Sequence, residues 1–149
     1  MKIDDSQIIL DGYISDDEIN NSVKTSVDYE WEPGYNTPAK LKTEVYLSYT
    51  DTHMYAGIIA YGDPENIRGQ IRPRDQMEGD LNEDIVFLRF DPFKDARSVF
   101  LLASNAYGSQ IDLRARNAIS DDERYDMTFN ALYETKSRIF DNGYIIEFK

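Results

Sequence analysis

Apolar and polar positions alternate along most of this chain with a period of two rather than 3.6, and that period predicts strands. Leu41, Thr43, Val45, Leu47 and Tyr49 fall on one face of a predicted strand, with Lys42, Glu44, Tyr46 and Ser48 opposite. Thr50-Asp51-Thr52-His53 reads as a turn. Met54 to Tyr61 then returns as a second strand, apolar on both faces and therefore placed centrally in a sheet. Ile85 to Phe90 and Ser98 to Ala103 make a second antiparallel pair. Their connector is Asp91-Pro92-Phe93-Lys94-Asp95, where Pro92 cannot donate to a ladder. A turn at Asn105-Ala106-Tyr107-Gly108 leads into a strand from Gln110 to Arg116. Further strands are predicted at Thr128 to Lys136 and, after Asp141-Asn142-Gly143, at Tyr144 to Phe148. The spacing predicts an all-β chain, an antiparallel β-sandwich of jelly-roll type with roughly eight or nine strands and little helix. Only Ser15-Asp16-Asp17-Glu18 reads as a helix start, capping one short turn that ends near Asn21.

The two long polar stretches, Asp63 to Asp84 and Asn117 to Asp126, read as loops of a length that is usually functional or mobile. No repeat, low-complexity tract or linker divides the sequence, and 149 residues suit a single domain over 1–149. The chain stops at Glu147-Phe148-Lys149 in the middle of an alternating strand, so it is expected to have been cut from a longer protein. A parent sequence ending at Lys149 would contradict that expectation.

Composition narrows the partners. A formal net charge of −12, from 28 acidic and 16 basic side chains, repels phosphate backbones and anionic bilayers. Nucleic acid is therefore excluded as an expected partner, and no apolar run is long enough for membrane insertion. Met1 to Asp11 lacks the basic-then-apolar pattern of a signal peptide. The absence of cysteine removes disulfides, thiolate chemistry and cysteine-based zinc sites, and the single histidine, His53, removes a His-rich metal site. Eleven Tyr and seven Phe against one Trp suit a pleated, half-buried surface.

The ordered motifs resemble a known family. Leu10-Asp11-Gly12, then Glu32-Pro33-Gly34 with Thr43-Glu44-Val45-Tyr46 and the return strand around Tyr55, form one block. Asp63-Pro64-Glu65-Asn66-Ile67 with Arg72-Pro73-Arg74-Asp75 form a second. Asp84-Ile85-Val86, the segment from Asp91 to Arg97, Asn105-Ala106-Tyr107-Gly108 and then Asp112 form a third. From about Ile8 to Lys149 the set resembles a family 9-like carbohydrate-binding module, a β-sandwich related to the DOMON fold. Such modules often stand at the N-terminus of large bacterial envelope proteins with a predicted outer-membrane barrel. The resemblance implies reversible binding of an oligo- or polysaccharide, often with structural calcium, and no catalysis by the module itself. It also implies a periplasmic or cell-envelope location, with the remainder of the parent protein as a partner. The family's sugar clamp uses two tryptophans. Here Arg124-Tyr125-Asp126 and Gly143-Tyr144 stand where the family reads Asp-x-x-Trp-Asp and Gly-Trp, so the clamp does not carry over intact.

Each candidate group has its own chemistry. The C–H face of a pyranose is apolar and weakly positive, so it stacks on the negative face of an aromatic ring. Trp31 and Tyr35 in a polar stretch, and Tyr107 and Tyr125 in loops, are the candidate platforms; the competing reading puts Trp31 over one end of a core. Sugar hydroxyls need paired donors and acceptors, which Arg72, Arg74, Asp75, Asn105, Gln110 and Asp112 offer. The competing reading pairs Arg72 or Arg74 with Asp75 or Asp84 to pin the long loop. Calcium takes six to eight oxygens. Asp80, Glu83 and Asp84 are its candidate ligands, against the more common outcome of a solvated acidic loop. Two carboxylates in reach of one another are inevitable among 28, so glycosidase chemistry carries no specific signal. Haem held by His53 with Met54, Met77 or Met127 is disfavoured because His53 falls in a polar turn. A second functional class remains: a structural or protein-interaction domain of an envelope protein with no sugar site.

Overall fold

A computed structural model describes residues 1–76, 82–95, 97–116 and 124–149. The chain is all-β, and its strands form three antiparallel sheets of the kind a sandwich-like fold is built from. It divides into two compact units, Met1–Ile67 with Glu134–Lys149, and Arg68–Tyr133.

The first unit holds a five-stranded sheet and a small hairpin. In chain order its strands are β1 (Val23–Ser26), β2 (Tyr29–Glu30), β3 (Thr37–Pro38), β4 (Thr43–Tyr49) and β5 (Met54–Tyr61). They are followed, after the second unit, by β10 (Thr135–Phe140) and β11 (Gly143–Phe148). The sheet order is β1-β4-β5-β11-β10, so β5 is central, as its apolar character on both faces predicts. Four consecutive residues of β5, Tyr55 to Ile58, are buried. In β11, Ile145, Ile146, Glu147 and Phe148 are buried as well. Strand β4 alternates as predicted, but its buried face carries Glu44, Tyr46 and Ser48, while Leu47 and Tyr49 are exposed. Glu44 tolerates burial because Lys24 and Lys42 approach it at 2.6 and 2.9 Å and the Tyr61 hydroxyl donates at 2.8 Å. Those hydrogen bonds, Lys24 first, hold its carboxyl down at about 2.

The second unit is a four-stranded sheet in the order β6-β7-β8-β9. Its strands are β6 (Ile85–Phe90), β7 (Ser98–Asn105), β8 (Gln110–Arg116) and β9 (Tyr125–Asp126). Among the described residues this makes eleven strands, more than predicted, because β2, β3 and β9 are two-residue ladders too short to show a period. One predicted strand is displaced. Thr128 to Lys136 is irregular up to Glu134, and the ladder runs from Thr135 to Phe140 instead. The reason is local: Thr128 donates to Asp126 from both its N–H and its hydroxyl, and Ala131 is held through both backbone groups by side chains of β8 and of Arg74. The hairpin that follows turns through Asp141-Asn142, with Gly143 at φ 144°. A side chain there would run into the backbone of Ala60.

The predicted helix turn is α1 (Asp16–Asn20), and its capping box is complete. Ser15 Oγ accepts from the Glu18 N–H at 3.3 Å, and Glu18 Oε2 accepts from the Ser15 N–H at 2.8 Å. Among the described residues no helix is long and apolar enough to cross a membrane.

Glu147 ties the N-terminal segment to the five-stranded sheet. Fully buried in β11, it accepts from the Tyr55 hydroxyl at 2.8 Å, from the Gly12 N–H at 2.5 Å and from the Asp11 N–H at 3.2 Å. Gly12 has φ 87°, and a Cβ there would crowd Arg138, whose guanidinium lies 3.7 Å over the Tyr13 ring and donates to the Gly12 carbonyl. Leu10-Asp11-Gly12 is thus a docking turn, with Gly12 buried and Asp11 exposed.

Burial is the first cause that raises the Glu147 carboxyl, to about 7. The folded state therefore holds this proton more tightly than the unfolded chain does. The associated stability is complete below the ordinary value of 4.5 and is lost as pH rises through about 7. Glu147→Gln keeps an acceptor for the two backbone N–H groups and lets Tyr55 accept in turn, imitating the protonated acid. Its melting temperature should decline less than that of the wild type between pH 4.5 and 7.5. Parallel melting curves for the two proteins across that window would contradict the assignment.

Candidate functional site

The most exposed aromatic group stands on the β2–β3 hairpin of the first unit. Tyr29 pairs with Pro38 and Glu30 with Thr37, and the chain between turns through Trp31 to Asn36. Tyr35 and Asn36 have φ 29° and 57°. Asn tolerates that left-handed region better than most residues. Gly34 lies so close to Thr37 that any side chain would collide with its hydroxyl. This tight turn pushes its rings outward: Trp31 is 68% exposed and Tyr35 71%. Their centroids are 4.7 Å apart with planes tilted by 59°, so the rings touch one another and leave no gap for a guest between them. The pair is an angled platform with one open outer side. It is not a two-ring clamp, and Trp31 does not close a core.

The other candidate residues lie in the second unit, in three groups. Arg72 and Asn105 share Glu83: Arg72 Nη2 donates to Oε1 at 3.0 Å and Asn105 Nδ2 to Oε2 at 2.7 Å. Asn105, fully buried, also donates to the Gln70 carbonyl and accepts from the Tyr107 and Ser109 N–H groups. It thereby closes the Ala106-Tyr107-Gly108 turn, with Gly108 at φ 88°. The Tyr107 ring packs on Gly69.

In the second group Arg74 donates from Nε and Nη2 to Asp112 Oδ1, the Nε bond at 3.0 Å, and from Nη2 to the Ala131 carbonyl at 2.7 Å. The Ala131 N–H donates to Asp112 Oδ2 at 2.6 Å, and the Asp112 N–H to Asp75 Oδ1 at 3.3 Å. Asp75, at φ 61°, donates its own N–H to the Gln110 carbonyl. Beneath, the Tyr133 ring lies 4.8 Å from the Arg74 guanidinium, and its hydroxyl donates toward the Ala103 and Ile111 carbonyls. Burial raises the Tyr133 phenol well above its ordinary value. Asp112 is completely buried. Both groups pin the segment after Ile67 to the sheet, through Glu83 and Asp112 as the carboxylate partners.

Tyr125 belongs to the third group. It lines a groove of about 370 Å³ floored by Val99, Leu101 and Ala115 and ringed by Arg89, Arg97, Arg116 and Arg124. Register places Arg89 opposite Leu101 and Tyr125 opposite Ala115. Sequence reading did not single these arginines out as site residues. The groove holds four of the nine arginines of a strongly acidic chain, drawn from separate stretches of sequence.

Of the calcium candidates, Asp80 lies outside the described residues. Both Glu83 oxygens serve N–H donors, and Asp84 Oδ2 accepts from the Arg68 N–H at 2.7 Å. These two carboxylates therefore act as loop pins, accepting N–H groups of the chain itself. Among the described residues no group of three or more His, Asp or Glu is arranged to hold a metal ion. His53 Nδ1 lies 2.8 Å from the Thr52 hydroxyl and 3.5 Å from Asp5.

Compared with known protein families, curated proteins and solved structures, this chain matches none.

The Arg74–Asp112 pair has an asymmetric prediction. Arg74→Ala leaves a fully buried carboxylate without its cation and should destabilise the fold by about 3–5 kcal/mol. Asp112→Ala leaves a guanidinium that is 30% exposed and can turn to water, so it should destabilise less. Urea denaturation of both variants checks the order, and the reverse order would show that Asp112 is not the limiting charge.

Proposed function

We propose that this chain is a non-catalytic carbohydrate-binding module, an accessory domain of a larger envelope protein. The observation that supports the reading is the Trp31–Tyr35 platform, two mostly exposed rings held in contact by a tight hairpin. Exposing large rings to water is unfavourable, and a pyranose C–H face laid on the outer side of Trp31 would cover one of them. Lys40, its ammonium exposed and 3.5 Å from the Glu30 carboxylate, supplies donors for sugar hydroxyls beside the hairpin. Tyr29, 65% exposed on β2, extends the aromatic surface. With one stacking face rather than two, affinity is modest.

Trp31 is the only tryptophan, so its emission reports on the platform alone. A glycan array, run with calcium and with a chelator, should show binding to a neutral saccharide that is accompanied by a blue shift of Trp31 emission. Trp31→Ala should weaken that binding about tenfold or more, and Tyr35→Ala by less. A folded protein that is silent across the array in both buffers would end the sugar reading and favour a protein-interaction domain whose partner covers the same rings.

A further inference from the structure

We propose that the arginine-ringed groove on the β6–β9 sheet is a second binding site, specific for an anionic saccharide bearing carboxylate or sulfate groups. The argument begins with charge. Acidic side chains outnumber basic ones 28 to 16, so an arginine placed without purpose finds a carboxylate. Arg74 and Arg114 do so, Arg114 at 2.6 Å from Asp126. Arg89 and Arg97, both exposed, have no carboxylate at ion-pair distance among the described residues. Arg116 shares the same Asp126 oxygen that Arg114 already holds, and only at 3.9 Å. Cations held together in this way repel one another, and an anion between them relieves the repulsion.

The shape supports a ring-bearing guest rather than a bare ion. Val99, Leu101 and Ala115 make an apolar floor, and Tyr125, 48% exposed, stands beside it as a stacking face. A floor for C–H faces under a rim of planar guanidinium groups matches a sugar ring with an anionic substituent. The volume of about 370 Å³ falls in the range of small-molecule sites. The same local field would draw nucleic acid poorly, because the chain's net charge of −12 opposes a long phosphate polymer. That the guest is a saccharide rests on the module reading; the anion preference rests on the arginines and does not involve Trp31.

The test is calorimetry at low salt with the full chain and four probes of matched length: oligogalacturonate, sulfated dextran oligosaccharide, neutral dextran oligosaccharide and oligoglutamate. One or both anionic saccharides should bind, and which of the two binds more tightly identifies the anion. Raising the salt should weaken that binding steeply. Arg89→Ala and Arg97→Ala, which remove exposed side chains, should each weaken it about tenfold with unchanged melting temperature. Trp31→Ala should leave it intact while weakening neutral-glycan binding, so the two sites fail separately. Failure of both anionic saccharides to bind, or undiminished affinity in both arginine variants, overturns the site. Equal affinity for oligoglutamate overturns its assignment to saccharides.

Discussion

Buried carboxylates that accept backbone N–H groups from irregular segments are the constraint on which the rest of this chain depends. Glu147 does this in the first unit, receiving the Asp11 and Gly12 amides and the Tyr55 hydroxyl. Asp112 does it in the second, receiving the Ala131 amide and the Arg74 guanidinium. Strands satisfy their own backbone groups by pairing, but a segment that leaves the ladder needs an acceptor from elsewhere. A carboxylate offers more acceptor capacity than any neutral side chain, so one buried acid can serve several donors at once. The two acids are compensated differently. Asp112 has a guanidinium against it, whereas Glu147 has neutral donors, and burial raises its carboxyl toward the protonated form.

Strand positions were legible because alternation and turn chemistry act locally. Met54 to Tyr61, Ile85 to Phe90 and Gln110 to Arg116 appear with the predicted bounds, and Ser15 to Glu18 caps its helix as predicted. The misplaced strand at Thr128 failed because its backbone is claimed by Asp126, Asp112 and Arg74, the last two distant in sequence. No window of sequence shows which carboxylate will reach it. Strand β4 fails in a related way: its polar-looking face is the buried one, since Lys24 and Tyr61 arrive from neighbouring strands to satisfy Glu44.

The candidate site was legible by residue type and not by role. Arg, Asp and Asn were singled out for rigidly paired hydrogen bonding, and that is how they behave, but toward the chain itself. Arg72, Arg74, Asn105 and Asp112 direct most of their polar groups at Glu83, Gln70, Ala131 and Ser109. The exposure of Trp31 and Tyr35 was legible, because a ring between polar neighbours in a tight turn has no core to enter. The arginine groove was illegible, since its members come from β6, the β6–β7 connection, β8 and the residue before β9, and only the register brings them together.

A loop rich in donors and acceptors is not thereby a binding loop. Ligand contacts require valences left open after the chain has satisfied itself, because breaking an internal buried pair to bind a guest forfeits much of what the guest returns. By that criterion Asp112 and Asn105, both fully buried and fully engaged, are supports. Open valences remain on the outer side of Trp31 and on the side chains of Arg89 and Arg97, which have no carboxylate at ion-pair distance among the described residues. The acidity of the chain sharpens this contrast: where carboxylates are abundant, an unneutralised arginine is the less expected state. The two surfaces proposed as binding sites thus differ in kind, an uncharged aromatic face and a cationic groove, and each would select its ligand by a different force.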